Sequence, residues 1–143
     1  VTHPQPPGGS PPPSTARLDG VEVELRPLAE RVSEQYYREY PDTDDRYGRA
    51  GREWCVHDNL YLLAWAFGAH AGHVTFEEQV LWLSRVLASR DYPLDRLARD
   101  LEICADVVTA GAIGDSAARG EVAAILRDGA TIVAGEHDRR RAP

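Results

Sequence analysis

Asp58 is the residue whose setting most invites chemistry. Tyr47, Gly51, Trp54, Asp58, Tyr61 and Trp65 recur at alternating steps of four and three, which is one face of a helix. A carboxylate in the middle of that face, flanked by Trp54, Leu62 and Trp65, loses hydration that only a partner or a proton can replace. A carboxyl so placed takes a shifted pKa and becomes a candidate for ligand binding or acid–base work. The plainer reading is structural, and it is preferred: an Asp that meets an Arg, a Tyr hydroxyl or the amides of a neighbouring helix end.

Around Asp58 the aromatic residues are gathered unevenly. All eleven Phe, Trp and Tyr lie between Tyr36 and Tyr92. Tyr36, Tyr37, Tyr40, Tyr47, Trp54, Tyr61, Trp65, Phe67, Phe76 and Trp82 are enough to wall an apolar pocket of the kind that holds a ligand. They are equally the material of an ordinary small core. The expected working surface, for a ligand or a partner protein, is Tyr47, Trp54, Asp58, Tyr61, Trp65 and Trp82. An exposed aromatic patch there would mark a partner interface, and a closed pocket a ligand site.

Histidine is the third candidate chemistry. His57 stands beside Asp58, and His70 and His73 lie in the run Gly68-Ala69-His70-Ala71-Gly72-His73. Two imidazoles and a carboxylate can hold a metal, and histidine also ligates haem. That supports an alternative reading as a metal or cofactor carrier. The spacing, however, fits neither H-E-x-x-H nor the paired Glu-x-x-His of di-iron bundles, so no metal site is assigned and no cofactor is named. Cys55 and Cys104 fall on apolar helical stripes and read as buried free thiols of a reducing compartment. G-x-S-x-G, phosphate-loop and G-x-G-x-x-G signatures are absent from the sequence. The chain is therefore read as non-catalytic, with an enzyme using Asp58 as acid or base the weakest alternative.

These residues need helices to position them. Pro27 suits a first helical turn, and Leu28, Val32 and Tyr36 continue at steps of four until Pro41. A second helix is expected over Thr43 to Phe67, closed by Gly68 and Gly72. Thr75-Phe76-Glu77-Glu78 has the form of a capping box, opening a helix with Phe76, Val80, Leu83 and Leu87 as its stripe. Asp91-Tyr92-Pro93 makes a turn, and Leu94, Leu97, Leu101, Cys104 and Val108 mark a fourth helix. Asp115 caps a fifth with Ala118, Val122, Ile125 and Leu126 inside. The fold expected is all-α, an antiparallel bundle of about five helices, or a globin-like pack.

The ends read differently. Val1 to Ala16 holds no Asp, Glu or Arg and six of the ten prolines, too little to offset the entropy of ordering. Residues 1–20 are expected as a disordered Pro-rich arm, 21–135 as the helical domain and 136–143 as a frayed tail. A formal net charge of −7 argues against nucleic acid, whose phosphates demand a basic face, and against anionic membrane surfaces. No apolar run approaches a bilayer span, and a cytoplasmic location is expected. The partner expected is a protein or a small apolar ligand, with a homodimer possible.

Two runs carry a resemblance. They are Tyr47-Gly48-Arg49-Ala50-Gly51-Arg52-Glu53-Trp54-Cys55-Val56-His57-Asp58 and Trp82-Leu83-Ser84-Arg85-Val86-Leu87-Ala88-Ser89-Arg90-Asp91-Tyr92-Pro93-Leu94. Together they resemble a bacterial family of small helical domains, found in some proteins beside cobalamin-binding or other signalling modules. The likeness spans about Leu28 to Val108 and falls on Gly51, Arg52, Asp58, Trp82 and Arg90. It implies a sensory or regulatory module without a catalytic role. The Asp-x-His-x-x-Gly motif of cobalamin binding is missing, so the resemblance implies that any cobalamin sits in a partner chain.

Overall fold

The computed structural model describes residues 12–143; the expected arm lies, for its first eleven residues, outside the described residues. Where residues 1–20 were expected to be arm throughout, structure begins at Thr15. Strands β1 (Thr15–Leu18) and β2 (Val21–Glu24) pair antiparallel, Leu18 opposite Val21 and Thr15 opposite Glu24. The two-residue link Asp19-Gly20 has φ of 52° and 76°, the mirror-image turn that matches strand twist and that an Asp-Gly pair adopts readily. Leu18 and Val23 are buried and anchor the hairpin to the helices. That burial offsets the entropy of ordering the hairpin.

Five helices follow: α1 (Leu25–Glu39), α2 (Asp42–His70), α3 (Phe76–Ala88), α4 (Leu94–Ala110) and α5 (Ser116–Arg141). The described residues are all-α apart from the hairpin. α4 packs along α5, α1 lies against α2 and α4, and α3 rests on α5. The expected stripes face inward, with Leu28, Val32, Tyr36, Val80, Leu97, Leu101, Cys104, Val108, Val122 and Leu126 all buried. Among the described residues no helix is long and apolar enough to cross a membrane.

Four details depart from the sequence reading. The second helix is not one rod. Gly48, at φ 64° and ψ −158°, takes a conformation open essentially to glycine alone, so Asp42–Tyr47 is a separate turn leading into the long helix. The lower part of α2 is not one-faced either. Leu60, Tyr61, Leu62, Leu63, Trp65, Ala66 and Phe67 are all buried, as in a helix surrounded by neighbours. The capping box at Thr75 does not form, for Thr75 makes no side-chain cap bond; Glu77 and Glu78 still favour the helix dipole from the first turn. The fifth helix runs on through the expected tail to Arg141, where Glu136 pairs with Arg139 and Arg140 at favourable helical spacings. Asp115 caps α5 as expected, accepting from the Ala118 amide at 2.8 Å.

α3 and α5 approach closely at one point. A Cβ on Gly129 would run into the ring of Phe76, whereas one on Gly120, in the same helix, would meet nothing within 4 Å. The same substitution should therefore have opposite signs. Gly129→Ala is expected to destabilise by about 1–3 kcal/mol through overpacking, and Gly120→Ala to stabilise by about 0.5–1 kcal/mol through helix propensity. Urea unfolding of the two variants checks this, and a gain at Gly129 would show that the contact yields.

Candidate ligand pocket

The break at Gly48 and the long helix after it shape one end of a cavity. At the break the root of the Tyr47 side chain stands directly against the backbone of Gly51, leaving no room for a Cβ there. Arg52 reaches back across the break to Asp44 with two hydrogen bonds, at 2.7 and 2.5 Å, and its guanidinium lies 4.3 Å from the ring centre of Tyr37. Arg96 of α4 holds Asp42 at 3.0 Å. The Asp42–Tyr47 turn is thus tied to both α2 and α4.

The cavity behind this turn has a volume of about 120 Å³, close to that of engineered apolar cavities of about 150 Å³ that hold benzene. α1 contributes Tyr36 and Tyr37; the turn contributes Thr43 and Tyr47. α2 contributes Gly51, Trp54, Cys55, Asp58, Asn59 and Leu62, and α3 contributes Leu83 and Leu87. Arg90 and Tyr92 come from the α3–α4 connection, and Leu97 and Asp100 from α4. Four tyrosines and one tryptophan line a space with a short list of polar groups, the usual make-up of a small-molecule site.

Asp100 is the chemically singular member. It is 7% exposed, and its Oδ1 is buried without a hydrogen-bond partner. Its pKa is pushed up to about 8, first by burial and then by the Asp58 carboxylate, while hydrogen bonding with Asn59 partly offsets the rise. Near neutral pH this carboxyl therefore holds its proton. Asn59, itself 1% exposed, links the neighbouring helices. Its amide donates to Ser33 Oγ at 3.1 Å and to Cys55 Sγ at 3.6 Å, and its carbonyl accepts from Cys104 Sγ at 3.6 Å. Ser33 Oγ in turn donates to the Ala29 carbonyl at 2.9 Å.

The buried thiols and phenols around the cavity are neutral near pH 7. Burial pushes the Cys55 thiol up to about 12, raises the Cys104 thiol well above its ordinary value and pushes Tyr37 up to about 12. Both cysteines are free, as the sequence reading expected, and neither is a thiolate nucleophile near neutral pH. The Tyr36 and Tyr92 hydroxyls share a hydrogen bond, and burial raises the pKa of both. The Tyr37 hydroxyl, like Asp100 Oδ1, is buried with no hydrogen-bond partner.

The six residues expected to form the working surface divide into two groups. Tyr47, Trp54 and Asp58 line the cavity. Tyr61, Trp65 and Trp82 do not; with Asp58 and Arg90 they border a separate crevice of only about 10 Å³, and Tyr61 stacks on Trp65 with ring centres 5.4 Å apart. Asp58 stands where the two spaces meet. Its side chain is 23% exposed and lies 3.6 Å from His57 Nδ1, so it is not the deeply buried acid that its stripe position suggested. Asp100 is. The signal for Asp100 was present in the sequence, since it falls three residues after Leu97 and four before Cys104, on the buried face of its helix.

The histidines do not converge. His57 pairs with Asp58 and meets the ring of Tyr61 edge-on, His70 bonds Glu121 at 2.7 Å, and His73 is exposed past the end of α2. Among the described residues no three His, Cys, Asp or Glu side chains gather as a metal would need. Comparison of the chain with protein-family models, with curated proteins and with solved structures finds no match, so function rests on this geometry.

Asp100 makes stability depend on pH with a defined sign. Its folded pKa, about 8, lies above the unfolded value of about 3.9. Between these values the folded state retains a proton that the unfolded state has lost, so stability falls as pH rises through about 4 to 8 and levels off above. Asp100→Asn should remove this slope, gaining on the native protein by up to about 1.4 kcal/mol per pH unit in that window. Urea unfolding at pH 4.5, 6 and 7.5 measures it; parallel curves would mean that Asp100 is ionised in the fold.

Proposed function

We propose that this chain is a non-catalytic, ligand-binding helical module of sensory or regulatory kind, and that its ligand occupies the cavity between α1, α2, α3 and α4. The observation that carries the reading is the aromatic-lined space of about 120 Å³ with the unpartnered Asp100 carboxyl in its wall. A folded core ordinarily closes such a space or fills its polar sites.

The disposition of the aromatics supports a ligand over a partner surface. Among the described residues the one exposed large hydrophobic is Val21, on the hairpin, at 52%. Tyr36, Tyr37, Tyr61 and Trp65 are buried, and Tyr47 and Trp54 are half-buried around the cavity. A partner protein would then read the ligand through the charged surface or through the Asp42–Tyr47 turn. That agrees with the sensory role implied by the resemblance to helical domains of bacterial signalling proteins. Two unpaired thiols suit a reducing compartment, which supports a cytoplasmic setting.

Thermal unfolding in the presence of benzene-sized compounds, neutral and charged, tests the proposal. A compound at a hundred times its Kd is expected to raise Tm by on the order of 10 °C. Leu87→Phe, which fills the cavity from α3, is expected to abolish the rise. A panel that leaves Tm unmoved, together with a clean apo mass for protein purified from a bacterial host, would sink the ligand reading.

A further inference from the structure

The proposed function leaves the class of ligand open, and the charges around the cavity narrow it. We propose that the ligand is a small organic amine bound as an ammonium ion, its head against the Asp100 carboxylate and its apolar body among Tyr37, Tyr47 and Trp54. This rests on the ligand-pocket reading and goes one step beyond it.

Three observations converge. The first is the buried Oδ1 of Asp100, which lines the cavity and has no hydrogen-bond partner. Once ionised, a carboxyl in that place is best completed by a donor that brings positive charge, because charge-assisted bonds are the strong ones. The second is the sign of the lining. Asp58 lines the same cavity and its field already acts on Asp100. Arg90, the cationic member of the lining, is exposed and so sits at the rim, where water screens it. An anionic head at Asp100 would face the Asp58 carboxylate and oppose ionisation of Asp100 itself. The third is the wall itself: tyrosine and tryptophan rings attract ammonium ions through their quadrupoles, and more strongly where water is excluded. The volume, about 120 Å³, admits an amine carrying about one ring or an aliphatic body of that size.

Binding must displace a proton. In the free protein Asp100 is protonated below about pH 8; the ammonium ion arrives with its own proton and pairs with the carboxylate, and the carboxyl proton leaves to solvent. The groups that face Asp100 are Tyr36 from α1, Cys55 and Asp58 from α2, Tyr92 from the α3–α4 connection and Cys104 from its own helix, with Arg90 at the rim. The phenols and thiols among them are held neutral by burial. Affinity for the amine should therefore climb up to tenfold per unit from pH 6 toward 8, then flatten.

Calorimetric titration of the full chain with benzylamine, benzyl alcohol and benzoate decides the matter. Benzylamine is expected to bind at least tenfold more tightly than benzyl alcohol, with benzoate weakest, to gain affinity between pH 6 and 8, and to lose at least tenfold in Asp100→Asn. Trp54→Leu, at the half-buried edge of the cavity, should weaken the amine several-fold more than the alcohol. Equal or tighter binding of the alcohol or benzoate, or an amine affinity unmoved by Asp100→Asn, overturns the amine assignment and leaves the pocket standing. Failure of all three compounds to bind the native chain overturns the pocket reading and the amine with it.

Discussion

A single buried amide holds this domain's interior in register. Asn59 sits where the long helix α2 becomes buried on all sides, and it is itself 1% exposed. Its amide and carbonyl must find partners within the fold, and they do so through Ser33 of α1, Cys55 one turn back, and Cys104 of α4. Sulfur and hydroxyl groups are weak, compact partners, so α1 and α4 can approach α2 closely. The same arrangement brings Asp100, one turn before Cys104, to the wall of the cavity without giving its Oδ1 a donor.

The cavity follows from what surrounds that register. Above Asn59 the walls are tyrosines, which are long, rigid and capped by a hydroxyl that resists full burial. Tyr36 and Tyr92 solve this by bonding each other. Tyr37 does not, and its hydroxyl stays unpartnered beside the space. The break at Gly48 sets the Asp42–Tyr47 segment against the cavity, and the Arg52–Asp44 and Arg96–Asp42 pairs tie it there. Exposed ion pairs of this kind contribute little each. The turn is therefore positioned but weakly held.

The rest of the fold is unstrained support. The hairpin anchors Leu18 and Val23 against the helices, and α5 covers both α4 and α3, coming closest to α3 where Gly129 meets Phe76. None of these elements contributes a side chain to the cavity. Glu39, whose carboxyl is held down to about 2 by hydrogen bonds from Arg99 and Gln35, ties the end of α1 to α4 beyond the space.

Much of this was legible in the sequence. Steps of three and four fixed the helices and their inner faces, because a 3.6-residue period leaves few other ways to bury those side chains. Asp115 as a cap, the turn at Asp91-Tyr92-Pro93 and the two free thiols were also readable there. So was the hairpin, in the Asp19-Gly20 pair, though proline composition masked it. The site was half legible. Tyr47, Trp54 and Asp58 reach the cavity, but Tyr61 and Trp65 continue the same face into the core and Trp82 lies half-buried on α3, because the Gly48 break and the neighbouring helices decide which part of a stripe meets space. Spacing puts Asp100 on the buried face of α4, but only the tertiary structure sets it in the cavity wall with its Oδ1 unpartnered. Periodicity places a residue on a face; only the packing of α1, α2 and α4 determines whether that face meets a partner, water or a cavity.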